Sequence, residues 1–131
     1  CVIDPIQHCV GFAVPSETVL HRIAHYGSVV EVGAGTGYWT AVLLARGVDA
    51  VAYDASPPTE DYENKFFNFT YTDVRKGDAT SLFDGESGAQ LSRRTLLIVW
   101  PNNADREDNP HLYGGEFLPP VWDADCLAQY V

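Results

Sequence analysis

The run Val29-Val30-Glu31-Val32-Gly33-Ala34-Gly35-Thr36-Gly37-Tyr38-Trp39 decides how the rest of the chain is read. An apolar stretch carries one acid, three glycines alternate over five residues, and an apolar, helix-like segment follows. That order reads as a buried strand, a tight turn and a helix start. Glycines suit such a turn because they take positive φ and let a ligand approach the backbone closely. The helix start adds unpaired N–H groups and the positive end of its dipole.

Two ligand chemistries compete for such a turn. A dinucleotide pyrophosphate asks for G-x-G-x-x-G, with the helix N-terminus facing the phosphates. Here the spacing is G-x-G-x-G, and Tyr38 stands where the last glycine is needed. Glu31, two residues before the first glycine, would also repel a pyrophosphate. An acid at that place suits a ligand that carries an ammonium group.

Downstream, the pattern of strand, turn and helix continues. Residues 28–32 read as the first strand and 37–46 as the helix after the turn, with Gly47 as its stop. Residues 48–53 are nearly continuously apolar, as a strand buried on both faces should be. That run ends at Asp54, 21 residues after Gly33, followed by Ala55. An acid there accepts from both hydroxyls of a ribose, or else serves as a turn acid. Residues 56–68 read as a loop in which Phe66 and Phe67 either cover a nucleobase or, the preferred reading, anchor the loop to the core. Residues 69–75 alternate like a third strand and lead into Gly77-Asp78-Ala79, by its residues a common turn. A short helix over 86–92 precedes residues 95–100, the most strand-like run, which Pro101 terminates. Residues 102–121 show no periodicity. Asp123 is placed to cap a last helix with Ala124, Leu127 and Ala128 inward.

Upstream, Ser16 is placed to cap a helix over 17–26 whose stripe is Val19, Leu20, Ile23 and Ala24, with Gly27 as its stop. His21 and His25 have the spacing of a zinc-binding pair, but Arg22 replaces the acid of H-E-x-x-H, so no metal site is read here. Residues 1–15 read as an irregular N-terminal arm that packs apolar residues on the domain.

Bulk properties set the frame. The 131 residues favour a single domain over 1–131, and a hydrophobic fraction of 46% is that of a globular chain. Eighteen acids against eight basic residues leave a net charge of −10. This excludes non-specific nucleic-acid binding, which runs on Lys and Arg, and disfavours an anionic membrane surface. Three cysteines, Cys1, Cys9 and Cys126, without a C-x-x-C pair, read as reduced thiols in a cytoplasmic protein. No segment reaches the roughly 18 apolar residues of a membrane span. A chain starting at Cys1 and lacking methionine reads as a fragment or a trimmed product.

The glycine turn, the acid after the second strand, Gly77-Asp78-Ala79 and the strand ending in Trp100-Pro101 occur in the order of the class I S-adenosylmethionine-dependent methyltransferases. The resemblance spans residues 12–101 and is strongest at E-x-G-x-G-x-G. The wording of the motifs is similar to a little-characterised group of these proteins in microbes and fungi. The resemblance implies an α/β fold: a Rossmann-like, doubly wound parallel sheet, here stopping after the fourth strand. It implies S-adenosylmethionine as cofactor and methyl transfer to a small-molecule or protein acceptor. Gly33, Ala34, Gly35, Gly37 and Tyr38 would line the methionine part, and Glu31 would hold the turn or the ammonium. Asp54 and Ala55 would take the ribose, Asp78 and Ala79 the adenine, and Trp100 and Pro101 would flank the sulfonium.

Two departures shape the expectation. The family's later strands are absent, so the sheet needs a further segment or a partner, such as a second copy, to cover its edge. Trp100-Pro101-Asn102-Asn103 is not the Asp/Asn-Pro-Pro-Tyr of enzymes acting on planar amino groups, so the acceptor and catalytic residues stay open. His8 and His111 are candidate bases. A non-catalytic module that keeps the fold for binding or assembly is the second reading, and a nicotinamide-dependent oxidoreductase the third. A bend plugged by side chains, or filled by a phosphorylated cofactor, would overturn the first.

Overall fold

A parallel strand buried on both faces needs helices above and below it, and the alternating side chains of the first strand show which helix takes which face. In the computed structural model, which describes residues 9–11, 13–59, 64, 66–78, 81–99 and 122–131, the elements run in this order. Helix α1 covers Glu17–Ala24, β1 Val29–Val32, α2 Tyr38–Leu44, β2 Ala50–Asp54 and β3 Val74–Lys76. Helix α3 covers Gly85–Leu91, β4 Thr95–Leu97 and α4 Trp122–Tyr130. The four strands form one sheet of order β3-β2-β1-β4, with every pairing parallel. This is an α/β fold compatible with a Rossmann-like sheet.

Strand β1 is buried along its whole length. Val30 and Val32 face a cluster with Phe83, Cys126, Leu91, Leu96 and Tyr130, which brings in α3 and α4. Val29 faces the other cluster, with Leu20, Leu43, Ile23, Trp39 and Leu97, which brings in α1 and α2. Burying one such aliphatic side chain contributes about 1.5–3 kcal/mol, so these two layers set the fold. Ser16 caps α1 as its sequence suggests, its hydroxyl accepting from Val19 N–H at 3.3 Å.

Three elements depart from the sequence reading. Alternation over 69–75 predicts a strand there, yet only Val74–Lys76 pairs with β2. Phe69 and Tyr71 alternate for another reason: Tyr71 meets the rings of Phe69 and Tyr38 edge-on. Strand β4 stops at Leu97 rather than running to Trp100. Among the described residues its neighbour is β1, and that ladder ends at the pair of Glu31 and Leu97, one residue before the end of β1. In α4, Asp123 lies in the first turn rather than capping it. Cys126 is fully buried and Tyr130 packs on Phe83, whereas Ala124, Leu127 and Ala128 are exposed. The inward face follows the spacing of Cys126 and Tyr130, with Tyr130 Oη donating to Arg94 O at 2.6 Å.

Because all strands run the same way, their carboxyl ends share one edge. The chain proceeds outward from β1 to β2 and β3, then returns across β1 to β4. The order therefore reverses between β1 and β4, and ligands of open α/β sheets bind at such a reversal, outside the carboxyl ends. The glycine turn leaves β1 there.

Candidate functional site

The turn is built from three residues in the left-handed region, with φ of 70° at Gly33, 53° at Gly35 and 69° at Gly37. Ala34 N–H donates to Tyr53 O at 3.0 Å, and Gly37 N–H to Ala34 O at 2.8 Å, so the bend is tied to the end of β2 and to itself. Gly33 is exposed, whereas Thr36 and Gly37 are buried. A Cβ on Gly37 would stand 2.7 Å from Val74 Cγ2 and 2.9 Å from Thr72 Cγ2, so glycine here serves close packing as well as the backbone.

Glu31 is the acid the sequence singles out, and it lies 2% exposed beneath the turn. Its Oε2 accepts from Thr40 N–H at 3.0 Å and from Thr40 Oγ1 at 2.6 Å. Thr40 is the third residue of α2, where a helix has an unpaired N–H. The N-cap, Gly37, has no side chain to fill that role, so a carboxylate reaching from β1 caps the helix instead. These two bonds tie β1 to the first turn of α2 across the glycine turn. Burial raises its pKa from 4.5 to about 7, against the two Thr40 hydrogen bonds, and the negative charge of Asp54 adds to the rise.

Asp54 closes the turn from the other side. Its Oδ2 accepts from Gly35 N–H at 2.8 Å and its Oδ1 from Ser56 N–H at 2.8 Å. One lone pair on each oxygen is left for further donors. Ala55 beside it is exposed. Asp78 is also exposed, two residues past the end of β3, where Asp54 pairs with Lys76 and Gly77 N–H donates to Asp54 O at 3.0 Å. Gly77 allows that approach, because a Cβ there would meet Tyr53 Cδ1 at 2.8 Å and Leu82 Cδ1 at 2.9 Å. The acids Glu31, Asp54 and Asp78 thus gather at the carboxyl edge with the turn. Ala79, Trp100, Pro101, His8 and His111 lie outside the described residues.

Phe67 is buried with its ring beside Gly35, 3.1 Å from where a Cβ would be, so it anchors the loop to one flank of the turn. Phe66 is 56% exposed. Tyr38 contacts Tyr71 with ring centroids 5.2 Å apart. Residues 9–11 and 13–15 pack against the same turn: Thr36 Oγ1 donates to Val10 O at 2.9 Å, Trp39 Nε1 to Ala13 O at 2.8 Å and Tyr71 Oη to Cys9 O at 2.6 Å.

Thr36, Thr40 and Tyr71 were not singled out from sequence, whereas Phe67 anchors the loop as the preferred reading of its sequence has it. Thr40 carries a faint signal, a hydroxyl in the first turn of the helix after an uncapped glycine. Thr36 and Tyr71 carry none.

A hollow of about 560 Å³ lies elsewhere, along α1, lined by Glu17, Thr18, His21, Arg22, His25 and Tyr26. No residue of the glycine turn lines it. Among the described residues no group of three or more His, Cys, Asp or Glu is placed to hold a metal ion. Among them, too, no helix is long and apolar enough to cross a membrane. No family model, curated protein or solved structure matches the chain.

Proposed function

We propose that the glycine turn binds S-adenosylmethionine and that the chain serves methyl transfer to a small-molecule or protein acceptor. One observation carries this reading: two backbone N–H groups that a pyrophosphate would need are already taken by the protein's own carboxylates. Thr40 N–H, at the start of α2, is given to Glu31, and Gly35 N–H, in the turn, to Asp54. A phosphate placed there would meet two acids and few free donors. A ligand whose charged end is an ammonium and a sulfonium meets the opposite balance.

The residues fit such a ligand in kind. The exposed backbone at Gly33 would seat the amino-acid part, and the remaining lone pairs of Asp54 would accept from the ribose hydroxyls. Asp78 with Ala79 would meet the adenine, and Trp100 with Pro101 the sulfonium. When bound, the cofactor supplies an electrophilic methyl group. The chain's own part is to hold the donor side still and admit an acceptor in line, at about 3 Å. A net charge of −10 favours a neutral or cationic acceptor over nucleic acid.

The engagement of both Asp54 oxygens favours a second reading, in which the carboxylates merely close the turn and the domain serves binding or assembly. Calorimetry with S-adenosylhomocysteine, with NADH as the counter-probe, separates these ideas. Micromolar binding of the first and none of the second supports the proposal. Binding followed by transfer of a labelled methyl to an acceptor pool supports the enzyme, and binding without transfer the module. Tight NADH binding with no response to S-adenosylhomocysteine would sink both.

A further inference from the structure

Residues 9–11 and 13–15, the arm, meet the turn and its surroundings through three side chains, of which Thr36 is the one within the turn. Thr36 sits between Gly35 and Gly37 with 2% of its surface exposed. Its hydroxyl donates outward to Val10 O of the arm at 2.9 Å, and its carbonyl accepts from Tyr71 N–H at 2.8 Å. Tyr71 returns to the arm, its hydroxyl donating to Cys9 O at 2.6 Å. Trp39, two residues into α2, holds the arm's far end through Ala13 O at 2.8 Å. Three side chains thus grip three carbonyls of the arm, and two of the three, Thr36 and Trp39, belong to the turn and the helix it starts. Tyr71 is itself fixed by the rings of Tyr38 and Phe69.

From this junction we infer that Thr36 is a positioning residue that makes the arm a wall of the glycine-turn site, so that occupation of the turn and docking of the arm strengthen each other. The inference rests on the turn being a ligand site, but the junction itself is testable without a ligand. The coupling is reciprocal: a ligand that holds the turn in its docked geometry tightens the arm by the same factor by which the docked arm tightens the ligand. The Thr36 hydroxyl is given to Val10 O of the arm, and the side chain lies 2% exposed. Its effect on a ligand is thereby transmitted through the arm.

Hydrogen exchange followed by mass spectrometry tests this on the chain with Thr36→Val, Thr36→Ser and Trp39→Phe. The last removes the indole donor while keeping a ring, and covers the case in which Thr36→Val does not fold. Losing one such hydrogen bond should speed exchange across 9–15 and at Tyr71 by about 3–10-fold, the factor that a net contribution near 1 kcal/mol sets. Exchange across β1 and β2 should stay unchanged, and Thr36→Ser should restore the wild-type rate. With S-adenosylhomocysteine as probe, saturation should slow exchange of 9–15 in the wild type, and Thr36→Val should weaken binding by a similar factor. Unchanged exchange of the arm in both Thr36→Val and Trp39→Phe overturns the junction. Equal acceleration in β2 overturns it as well, since that marks general destabilisation. If the arm loosens as expected but the probe does not bind, the junction stands and the nucleoside reading falls. If the probe binds equally to wild type and Thr36→Val while the arm loosens, the coupling is overturned and the nucleoside reading survives.

Discussion

Glu31 offers the sharpest test, because its chemistry fixes both the sign and the size of a pH effect. The unfolded chain titrates this carboxyl near 4.5, whereas burial in the native chain raises it to about 7. Between these values the native state keeps a proton that the unfolded state has lost. Stability therefore falls as pH rises through the window from 4.5 to about 7, the reverse of the usual carboxylate. Converted at roughly 1.4 kcal/mol per pH unit, the interval corresponds to about 3 kcal/mol. Above the window both states are ionised and the deficit stays constant.

The perturbation is Glu31→Gln, which keeps an acceptor for the Thr40 donors and removes the titration. Urea unfolding of both chains at pH 5 and pH 8 is the assay. Every other acid titrates in both chains, so the difference between them isolates Glu31. Part of that change falls below pH 5, so relative to wild type the variant should gain about 2.5 kcal/mol on going from pH 5 to pH 8. With a slope near 2 kcal/mol/M, that is a relative shift of about 1.2 M in the midpoint. Parallel pH profiles for the two chains would refute the reasoning, since they would mean that Glu31 does not titrate in this range.

The remaining predictions concern the contacts around that acid and the turn. Thr40→Val removes the hydroxyl donor at 2.6 Å from Glu31, which favours the charged form, so the carboxyl should titrate higher than about 7 when followed by carbon-13 NMR. Gly37→Ala should lose roughly 2–4 kcal/mol in thermal or urea unfolding, combining left-handed strain with overpacking against Val74 and Thr72. Gly47→Ala, at a φ of 78° with nothing within 4 Å of its new Cβ, should lose only the strain, and equal losses in the two would disprove the packing part. Asp54→Ala leaves Gly35 and Ser56 N–H without acceptors and should destabilise the chain by about 1–3 kcal/mol, with Asp54→Asn milder. By calorimetry Asp54→Ala should also weaken S-adenosylhomocysteine binding by about 1–3 kcal/mol, and unchanged affinity would remove Asp54 from the site.

Much of the architecture was legible because it depends on local pattern. The continuous apolar run of β2, the glycines between β1 and α2 and the Ser16 cap each announce themselves within a few residues. The errors arose where a local pattern served a non-local purpose. Phe69 and Tyr71 alternate as a strand would, but they serve Tyr38 and the arm. Ala124, Leu127 and Ala128 look like an inner stripe, yet the helix turns Cys126 and Tyr130 to the core, where Tyr130 also has a carbonyl to reach. At the site, sequence located Glu31 and Asp54 but not their partners. Oε2 of Glu31 finds Thr40 nine residues on, and Oδ2 of Asp54 finds Gly35 nineteen residues back, and neither pairing has a residue-type signature.

Those two pairings change what the acids say about a ligand. Read as free groups, Glu31 and Asp54 each advertise a binding role directly. Bonded as they are, they first satisfy the N–H groups that a glycine turn and an uncapped helix leave over, and in doing so withdraw those donors from any anion. The case against a phosphate in the proposed site thus rests on contacts within the chain. Attraction of a cation depends on how much negative charge is left. Glu31, held near pH 7 by burial, contributes little below that pH and more above it. A ligand bearing an ammonium within range of Glu31 would favour the ionised form and release a proton on binding near neutral pH. A ligand held only by Asp54 through its sugar would release none. Proton release, measured as a dependence of the calorimetric heat on the buffer's ionisation enthalpy, therefore distinguishes an acid that takes part in binding from one that only holds the turn in shape.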